Sequence, residues 1–225
     1  EAVFARAHAV GVTRFLNPSY DLDSSRRAAA LAASRADVVA AVGIHPNDAA
    51  RYDADAAAVL RDLAAAGPKQ VVAIGEIGLD YHWNIADPAT QKAVFVAQLA
   101  LARDLDLPVI IHSRDAYDDT LDILEAEWRG RPLVLHSFGG AINHAERALA
   151  CGFYLGISGP VTYPNAAQTR EIARMLPLER LLIETDAPYL SPQRYRGKRN
   201  EPAFVRLVAE KIADVREMSM RDVAQ

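Results

Sequence analysis

The sequence predicts an α/β fold whose parallel strands close into a TIM-type (β/α)8 barrel. Short, almost wholly apolar segments recur at regular intervals along the 225-residue chain, as strands buried on both faces of a parallel sheet do. Helical patterns, several of them rich in alanine, fill the intervals. Strand alternating with helix is the pattern of α/β proteins with a parallel sheet.

Seven apolar segments are predicted strands. They cover residues 12–17, 38–45, 71–77, 109–113, 133–138, 153–159 and 181–186. Seven visible units favour a closed barrel over an open, doubly wound sheet. We expect a single domain over residues 1–225, because no low-complexity linker or change in composition divides the chain.

Helices are predicted between these strands. They cover residues 1–10, 23–37, 87–106, 117–129, 143–151 and 165–176. Pro88 lies just inside the start of one of them, where its missing N–H costs no helical hydrogen bond. An eight-stranded barrel averages about 250 residues, and the first predicted element here is a helix. We therefore expect that a first strand lies outside this sequence, with the rest of a last helix capped by Ser219.

Composition excludes several classes of protein. No apolar segment approaches the 18 or so residues of a membrane-spanning helix. Cys151 is the only cysteine, which excludes a disulfide framework and favours a reducing, cytoplasmic setting. The net charge of −4 gives no general attraction for nucleic acid, so any affinity for phosphate must be local. A monomer is expected.

Metal-ligating residue types end four of the predicted strands. They are Glu76, His112, His136 and Asp186. In β/α barrels the reacting groups lie at the carboxyl ends of the strands, and side chains two positions apart share one face of a strand. We therefore expect two imidazoles and two carboxylates to converge at one mouth of the barrel.

This set of side chains suits a divalent metal ion. Imidazole and carboxylate together suit Zn, Mn, Fe or Ni, and Mg is favoured only by the oxygen ligands. Buried acids and histidines are costly without compensation, which a cation provides. A bound divalent ion lowers the pKa of its water to about 7, and an aspartate beside that water can take up a proton. The pattern therefore predicts metal-assisted hydrolysis.

Several segments carry a resemblance to a known family. The most specific are PVIIHSRDAYDD at residues 108–119 and PLERLLIETDAP at 177–188, and GEIGLDY at 75–81 agrees with them. Shorter motifs at 43–46, 136–140, 156–166 and 196–202 agree as well. Together they resemble the TatD family of metal-dependent deoxyribonucleases, a branch of the amidohydrolase-like barrels, and the resemblance extends over the whole sequence.

The resemblance implies a centre of two divalent ions (Zn, Mn or Mg) that hydrolyses phosphodiester bonds. The implied substrate is DNA, single-stranded or at its 3′ end. Carried over by position, Glu76 bridges the two ions, and His112 and His136 hold the second. Asp186 binds the first ion and acts on the attacking water. Glu76 and Asp186 are thus the expected catalytic residues.

Three features depart from the family pattern. The His-x-His of the family's first strand is not in this sequence, Asn47 stands in place of a histidine, and Ser137 in place of a cysteine. Without the two first-strand ligands, we expect this chain to hold one metal ion weakly rather than a pair. An inactive or purely metal-binding piece is therefore one alternative. Hydrolysis of another ester or amide, such as an aminoacyl-tRNA, is a second, because a barrel hosts many reactions.

Four polar residues are predicted to contact the substrate. His45 ends the second predicted strand and can orient a phosphate oxygen, although it can also cap a loop. Arg114 lies just past the fourth strand, where pairing with a nearby aspartate is the alternative. Arg196 and Lys198 belong to a basic cluster after the last strand. Such clusters are often only solvated surface.

Two further features leave alternatives open. Tyr81, His82 and Trp83 lie in a loop after the third strand. They either stack on nucleic-acid bases, as aromatic platforms do, or pack over the rim of the barrel. Glu184 either orients a metal ligand or pairs with a buried arginine such as Arg14.

Overall fold

A computed structural model describes residues 1–67, 69–83 and 85–224. The chain divides into two compact units. One is Arg14–Leu135, and the other joins Glu1–Thr13 to His136–Gln225. The expectation of a single domain over 1–225 stays a prediction.

The unit Arg14–Leu135 is a parallel sheet with a helix between each pair of successive strands. Each strand pairs in parallel with the next along the chain. The strands are β1 (Phe15–Pro18), β2 (Val38–Val42), β3 (Val71–Asp80), β4 (Val109–Arg114) and β5 (Leu133–Leu135). The helices are α2 (Leu22–Ser34), α3 (Ala54–Ala66), α4 (Pro88–Asp104) and α5 (Tyr117–Glu127), and a 3-10 helix spans Pro46–Arg51.

The other unit repeats the alternation with two strands. Its strands, β6 (Tyr154–Ile157) and β7 (Leu181–Ile183), pair in parallel. Its helices are α1 (Ala2–Ala9), α6 (Ile142–Ala150), α7 (Ala167–Met175), α8 (Val205–Arg216) and α9 (Met220–Val223). The α8 side chains of Val208 and Ile212 are fully buried, so this helix supplies much of the local core.

Helix starts follow the capping residues in the sequence. Asp21, Asp53 and Asp87 each accept a backbone N–H from the first turn of α2, α3 and α4, which satisfies donors that a helix start leaves unpaired. Pro88 is the first residue of α4. Ser219 accepts the N–H of Asp222 at the start of α9. The predicted roles of Pro88 and Ser219 are confirmed.

β2 and β3 are apolar because both of their faces are covered. In β2, Ala40, Ala41 and Val42 are fully buried, and in β3 the same holds for Ile74 and Ile77. This is the burial expected of parallel strands with helices packed on the sheet, and it confirms the interpretation of these two segments. In β1 and β7, by contrast, Leu16 and Leu182 are 48% and 44% exposed.

Strand ends differ from the prediction. Four strands stop earlier than expected, at Val42, Leu135, Ile157 and Ile183, and β3 runs on to Asp80. The prediction also missed α3 and α8. After β5 and β7 the backbone soon enters the left-handed region, with φ of 43° at Ser137 and 58° at Asp186, a conformation that a strand cannot contain.

None of the helices within the described residues combines the length and the apolar content that crossing a bilayer requires.

Candidate metal centre

β3 carries the carboxylates of Glu76 and Asp80, four positions apart. The N–H of Glu76 donates to the carbonyl of Ser19 at 2.8 Å. Asp80 is 1% exposed, and the buried amide of Gln91 in α4 clamps its backbone. The Asp80 N–H donates to Gln91 Oε1 at 2.8 Å, and Gln91 Nε2 donates to the Asp80 carbonyl at 2.9 Å. Both carboxylates therefore project from backbone that is fixed independently of their own contacts.

His112 in β4 lies between these two carboxylates. Its Nδ1 is 2.8 Å from Glu76 Oε1, and its Nε2 is 3.0 Å from Asp80 Oδ2. In the register of the two strands, Gly78 is the partner of His112. A Cβ on Gly78 would stand 2.0 Å from the carbonyl oxygen of His112, and Gly78 has a φ of 138°. Glycine is thus required for β4 to approach β3 at the imidazole.

His45 approaches the same oxygen of Glu76 as His112 does. Its Nε2 is 3.7 Å from Glu76 Oε1, and its ring centroid is 4.4 Å from that of His112. One ligand atom from each of His45, Glu76 and His112 can be chosen so that all lie within 4.8 Å of one another. We call these three residues the metal-binding group.

The hydrogen bonds of His45 assign its protons. Its Nδ1 accepts the N–H of Asn47 at 3.1 Å and caps the 3-10 helix Pro46–Arg51. A neutral imidazole has one donor and one acceptor nitrogen, so the proton lies on Nε2, the nitrogen that faces Glu76. A protonated Nε2 has no lone pair for a metal. His45 therefore fits a hydrogen-bond donor at this centre better than a ligand, although its position would allow either.

Asp80 is ionised in this environment. Burial raises the pKa of a carboxyl, but the hydrogen bond and the charge of His112 lower it, as do the N–H groups of His82 and Trp83. The sum holds the pKa of Asp80 below its ordinary value. An ionised Asp80 fixes the orientation of the His112 ring, the task that carboxylates perform for metal-bound histidines.

The chemistry of these side chains fits a divalent cation. Two carboxylates contact one imidazole, so negative charge is in excess even when that imidazole is protonated. A cation held by Glu76 and His112 would compensate the charge, and mixed carboxylate and imidazole ligands suit Zn or Mn. Asp80 would then serve as the partner that orients His112.

Arg114 ends β4, two residues after His112. Its guanidinium lies over the ring of Trp83, 5.4 Å from the ring centroid, and its carbonyl accepts the N–H of Tyr81 at 3.0 Å. The side chain is exposed. Arg114 therefore borders the loop that follows β3, and its predicted contact with a substrate stays a prediction.

His136 belongs to the other unit and follows directly after β5. It is partly buried. The next residue, Ser137, donates its N–H to Glu184 Oε1, and its hydroxyl lies 2.7 Å from that of Ser158. Glu184 thus binds the backbone beside His136. Both alternatives that the sequence left open for Glu184, orienting a metal ligand or pairing with an arginine, stay predictions.

Asp186 begins a loop that we call the Asp186 loop, residues 186–200. The carbonyls of Thr185 and Tyr189, on either side of Asp186, accept hydrogen bonds from Asn200 Nδ2 at 2.8 and 2.6 Å. Asn200 is 2% exposed, and its Oδ1 accepts the N–H of Glu201 at 2.9 Å. A single buried amide therefore holds both flanks of Asp186.

The two predicted basic contacts lie farther along the same loop. Arg196 is exposed and places its guanidinium 4.2 Å from the centroid of the Tyr163 ring. Lys198 is exposed, and its carbonyl accepts the hydroxyl of Ser191. Their contact with a substrate stays a prediction.

Of the four predicted ligands, Glu76 and His112 are brought together by β3 and β4. That His136 and Asp186 join them at one centre stays a prediction. Sequence reasoning missed two residues, Asp80 and Asn200. The signal for Asp80 was present, because it follows Glu76 by four positions in GEIGLDY and shares its face by strand alternation. Asn200 had no such signal, since its partners are backbone carbonyls.

The comparisons with known proteins agree over the full length. A sequence model of the family described as "TatD related DNase" matches residues 1–225. YabD of Bacillus subtilis strain 168, named an uncharacterized metal-dependent hydrolase, is 42% identical over 227 residues, which cover 100% of this chain and 88% of that protein. A Cronobacter sakazakii protein named 3′-5′ ssDNA/RNA exonuclease TatD is 40% identical over 222 residues, which cover 96% of this chain and 84% of that protein.

A solved structure also matches. The TatD homologue YJJV from Escherichia coli K12 superposes with a TM-score of 0.93 at 33% identity, over 100% of this chain and 86% of that one. This likeness confirms the predicted fold class, an α/β fold of the TIM-barrel type.

Proposed function

The chain belongs to the family of TatD-related DNases, as its motifs indicated, and from that premise we propose a metal-dependent nuclease. The reaction is hydrolysis of phosphodiester bonds in single-stranded nucleic acid, one nucleotide at a time from the 3′ end. The proposal extends to this chain the activity printed in the name of the Cronobacter sakazakii relative.

The observation that carries the proposal is the position of His112 between Glu76 and Asp80, at 2.8 and 3.0 Å. Asp80 is buried and Glu76 is partly buried, and carboxylates withdrawn from water on either side of an imidazole are unfavourable without a compensating charge. If these residues only stabilised the fold, apolar side chains of similar volume would do so with a smaller cost in desolvation free energy. The arrangement therefore supports a functional cation site.

Glu76 and His112 would hold the ion, and the family resemblance adds His136 and Asp186. A divalent ion supplies polarisation of the phosphoryl oxygens and a more acidic water. Its identity as Zn, Mn or Mg and the number of ions remain predictions.

The protein's own residues would position the phosphate and move one proton. His45 would donate its Nε2–H to a non-bridging phosphoryl oxygen, in place of the 3.7 Å contact with Glu76. Arg114, Arg196 and Lys198 would contact neighbouring phosphates as local positive charge. Asp186 would take up the proton of the attacking water at its carboxylate.

The backbone at Asp186 supports a functional role. Its φ of 58° lies in the left-handed region, which costs a non-glycine residue about 1–3 kcal/mol and persists where the surrounding structure enforces it. Asn200 provides such enforcement. A carboxylate held in this way is oriented in advance.

The test uses a 5′-labelled single-stranded oligonucleotide and the full chain, with Mn²⁺, Mg²⁺ or Zn²⁺ added singly. We expect a ladder shortened from the 3′ end, abolished by chelation. Glu76→Gln should lower the rate by more than the 10- to 100-fold typical of residues that only support a ligand. Glu146→Gln, an exposed change on α6, is the matched control and should leave the rate unchanged.

Two results would contradict the proposal. Cleavage of small esters or aminoacyl-tRNA without release of nucleotides would favour the alternative ester or amide hydrolase. Absence of any turnover, together with ion binding in calorimetry, would favour a purely metal-binding chain. A cytoplasmic location, which the single cysteine favours, and a monomeric state also stay predictions.

A further inference from the structure

Trp83 is an exposed aromatic side chain beside the metal-binding group. It is 57% exposed, and Ile85 in the same loop is 67% exposed. The other tryptophan, Trp128, is 1% exposed. If Trp83 packed over the rim of the sheet, as one alternative from the sequence requires, most of its surface would be covered. Its exposure favours the other alternative, contact with a ligand.

The loop of Trp83 is tied directly to His112 through Asp80. Asp80 Oδ2 contacts His112 Nε2 at 3.0 Å. Its other oxygen, Oδ1, accepts the N–H groups of His82 at 2.9 Å and Trp83 at 3.4 Å. One buried carboxylate thus bridges the imidazole and the backbone of the loop. The position of Trp83 relative to the metal-binding group is therefore fixed.

The indole ring is also held by its neighbours. The Arg114 guanidinium lies 5.4 Å from the ring centroid, within the roughly 6 Å range of a cation–π contact. The His82 ring stands edge-on at 4.8 Å and 88°, and its Nδ1 is 3.0 Å from Asp115 Oδ2. Trp83 is therefore an exposed ring in a defined orientation, so little rotamer entropy is lost when a ligand stacks on it.

We propose that Trp83 and Arg114 form a stacking platform for an unpaired nucleobase of the substrate, next to the phosphate at the metal-binding group. This inference rests on the proposed function and adds how the substrate is recognised. The platform would accept any base, because every base has a π-face on which the indole can stack. The indole has a single N–H donor, which is too little to distinguish one base from another by hydrogen bonds. It would favour single strands, whose bases are free to stack.

Arg114 has two compatible tasks in this arrangement. A guanidinium can lie flat on an aromatic ring while its five N–H donors, in the plane of the group, contact a phosphate. The contact with Trp83 would therefore hold the donors of Arg114 in place for the neighbouring phosphate. Lysine keeps the charge but has no plane, so Arg114→Lys should weaken the platform.

The first test measures binding without turnover. Tryptophan emission is followed while a single-stranded oligonucleotide is added to the full chain in the presence of a chelator. We expect quenching in the wild type and its loss in Trp83→Phe, since Trp128 is buried. A fully abasic oligomer of the same length should not quench. Equal quenching by the abasic oligomer, or quenching that persists in Trp83→Phe, would overturn the platform.

The second test measures steady-state cleavage. Base–aromatic stacking loses about 5- to 100-fold in affinity when the ring is removed, so Trp83→Ala should raise KM by that factor with kcat little changed. Trp83→Phe should retain most of the affinity. Ile85→Ala is the matched control in the same loop and should behave as the wild type. On the fully abasic oligomer, Trp83→Ala and wild type should have equal KM.

The outcomes separate the two proposals. If the wild type binds with quenching but cleaves no nucleic acid, the platform stands and the proposed nuclease activity falls. If the wild type cleaves and Trp83→Ala keeps its KM, the nuclease activity stands and the platform falls. Equal melting temperatures for Trp83→Ala and wild type, expected of an exposed side chain, exclude misfolding as the cause of any loss.

Discussion

The regions around Glu76 and around Asp186 fix their carboxylates by different means. Glu76 lies within β3, and its side chain contacts His112 on the neighbouring strand. Asp186 lies beyond the end of β7, in left-handed backbone. The first region uses contacts between side chains on a hydrogen-bonded sheet. The second uses contacts from side chains to backbone.

The difference follows from what each backbone can satisfy by itself. In β3 and β4 the sheet pairs the backbone groups, so side chains are available for one another. Around Asp186 the backbone is not part of a regular ladder, so its carbonyls need another donor. Asn200 supplies two N–H donors to the carbonyls of Thr185 and Tyr189. The buried amide thus replaces, for the loop, what the neighbouring strand provides for Glu76.

The two regions are therefore sensitive to different substitutions. The Glu76 region depends on how closely two strands approach, so it is sensitive to added volume in the sheet. The Asp186 region depends on one amide, so it is sensitive to the loss of a donor. A substitution can test each of these dependences.

The largest effect is expected from Gly78→Ala. The new Cβ would stand 2.0 Å from the carbonyl oxygen of His112, at a φ of 138°. We expect a loss of unfolding free energy of about 3–5 kcal/mol from overpacking and backbone strain together, with loss of divalent-ion binding. Urea denaturation and calorimetry measure the two effects.

Gly130→Ala is the matched control for that substitution. Gly130 also has a positive φ, 77°, but no atom of the described residues lies within 4 Å of its added Cβ. Gly130→Ala should lower the unfolding free energy by only about 1–2 kcal/mol, the cost of placing an alanine in left-handed backbone. If the two variants unfold at the same urea concentration, close approach of β3 and β4 is not what Gly78 protects.

A smaller loss is expected from Asn200→Ala. The substitution removes the amide donor from the carbonyls of Thr185 and Tyr189, and each lost hydrogen bond costs about 0.5–1.5 kcal/mol. Amide exchange at Tyr189, whose N–H donates to the Asp186 carbonyl at 2.8 Å, should accelerate. Turnover should fall more than stability alone accounts for, because Asp186 is no longer held.

Two further variants test whether the Asn200 donor is responsible. Asn200→Asp keeps the shape but replaces the donor by an acceptor, so it should be at least as harmful. Arg199→Ala, an exposed neighbour, should leave both stability and exchange unchanged. Unaltered exchange at Tyr189 in Asn200→Ala would show that the loop is held by other contacts.

The contrast between the regions also explains what the sequence could predict. Strand periodicity and apolar segments indicate where β3 and β4 lie, and so which of their side chains are neighbours. Glu76 and His112 were found in this way, and Asp80 could have been found by the same alternation. The role of Asp80 requires the structure, because it depends on His112 contacting a carboxylate through each ring nitrogen.

The Asp186 region was predictable only in part. The apolar segment Leu181–Ile183 marks β7, but left-handed residues leave no pattern in a sequence. A side chain that donates to backbone carbonyls can sit beside almost any residue type, so Asn200 and Glu184 gave no sign of their partners. The tautomer of His45 likewise depends on the N–H of Asn47.

The smallest effect is expected from Tyr81→Phe, where the same kind of side-chain contact lies near solvent. The Tyr81 hydroxyl donates to Asp119 Oδ2 at 2.7 Å, and Lys92 Nζ lies 2.7 Å from the same oxygen. We expect a loss of about 0.5 kcal/mol, at the low end for a hydrogen bond because Asp119 is partly exposed. Thermal denaturation measures it.

The stability contributed by the contact between Tyr81 and Asp119 depends on pH. Lys92 first, and then Tyr81, hold the pKa of Asp119 below its ordinary value of 3.8. A lowered carboxyl pKa contributes stability that is fully present above the unfolded value and is lost as pH falls through the folded value. The difference between wild type and Tyr81→Phe should therefore be constant at neutral pH and shrink below about pH 4. Lys92→Met should reduce the stability that is lost on acidification more than Tyr81→Phe does, because Lys92 lowers the pKa of Asp119 more. A difference that grows on acidification would show that the Tyr81 hydroxyl interacts with something other than the Asp119 carboxylate.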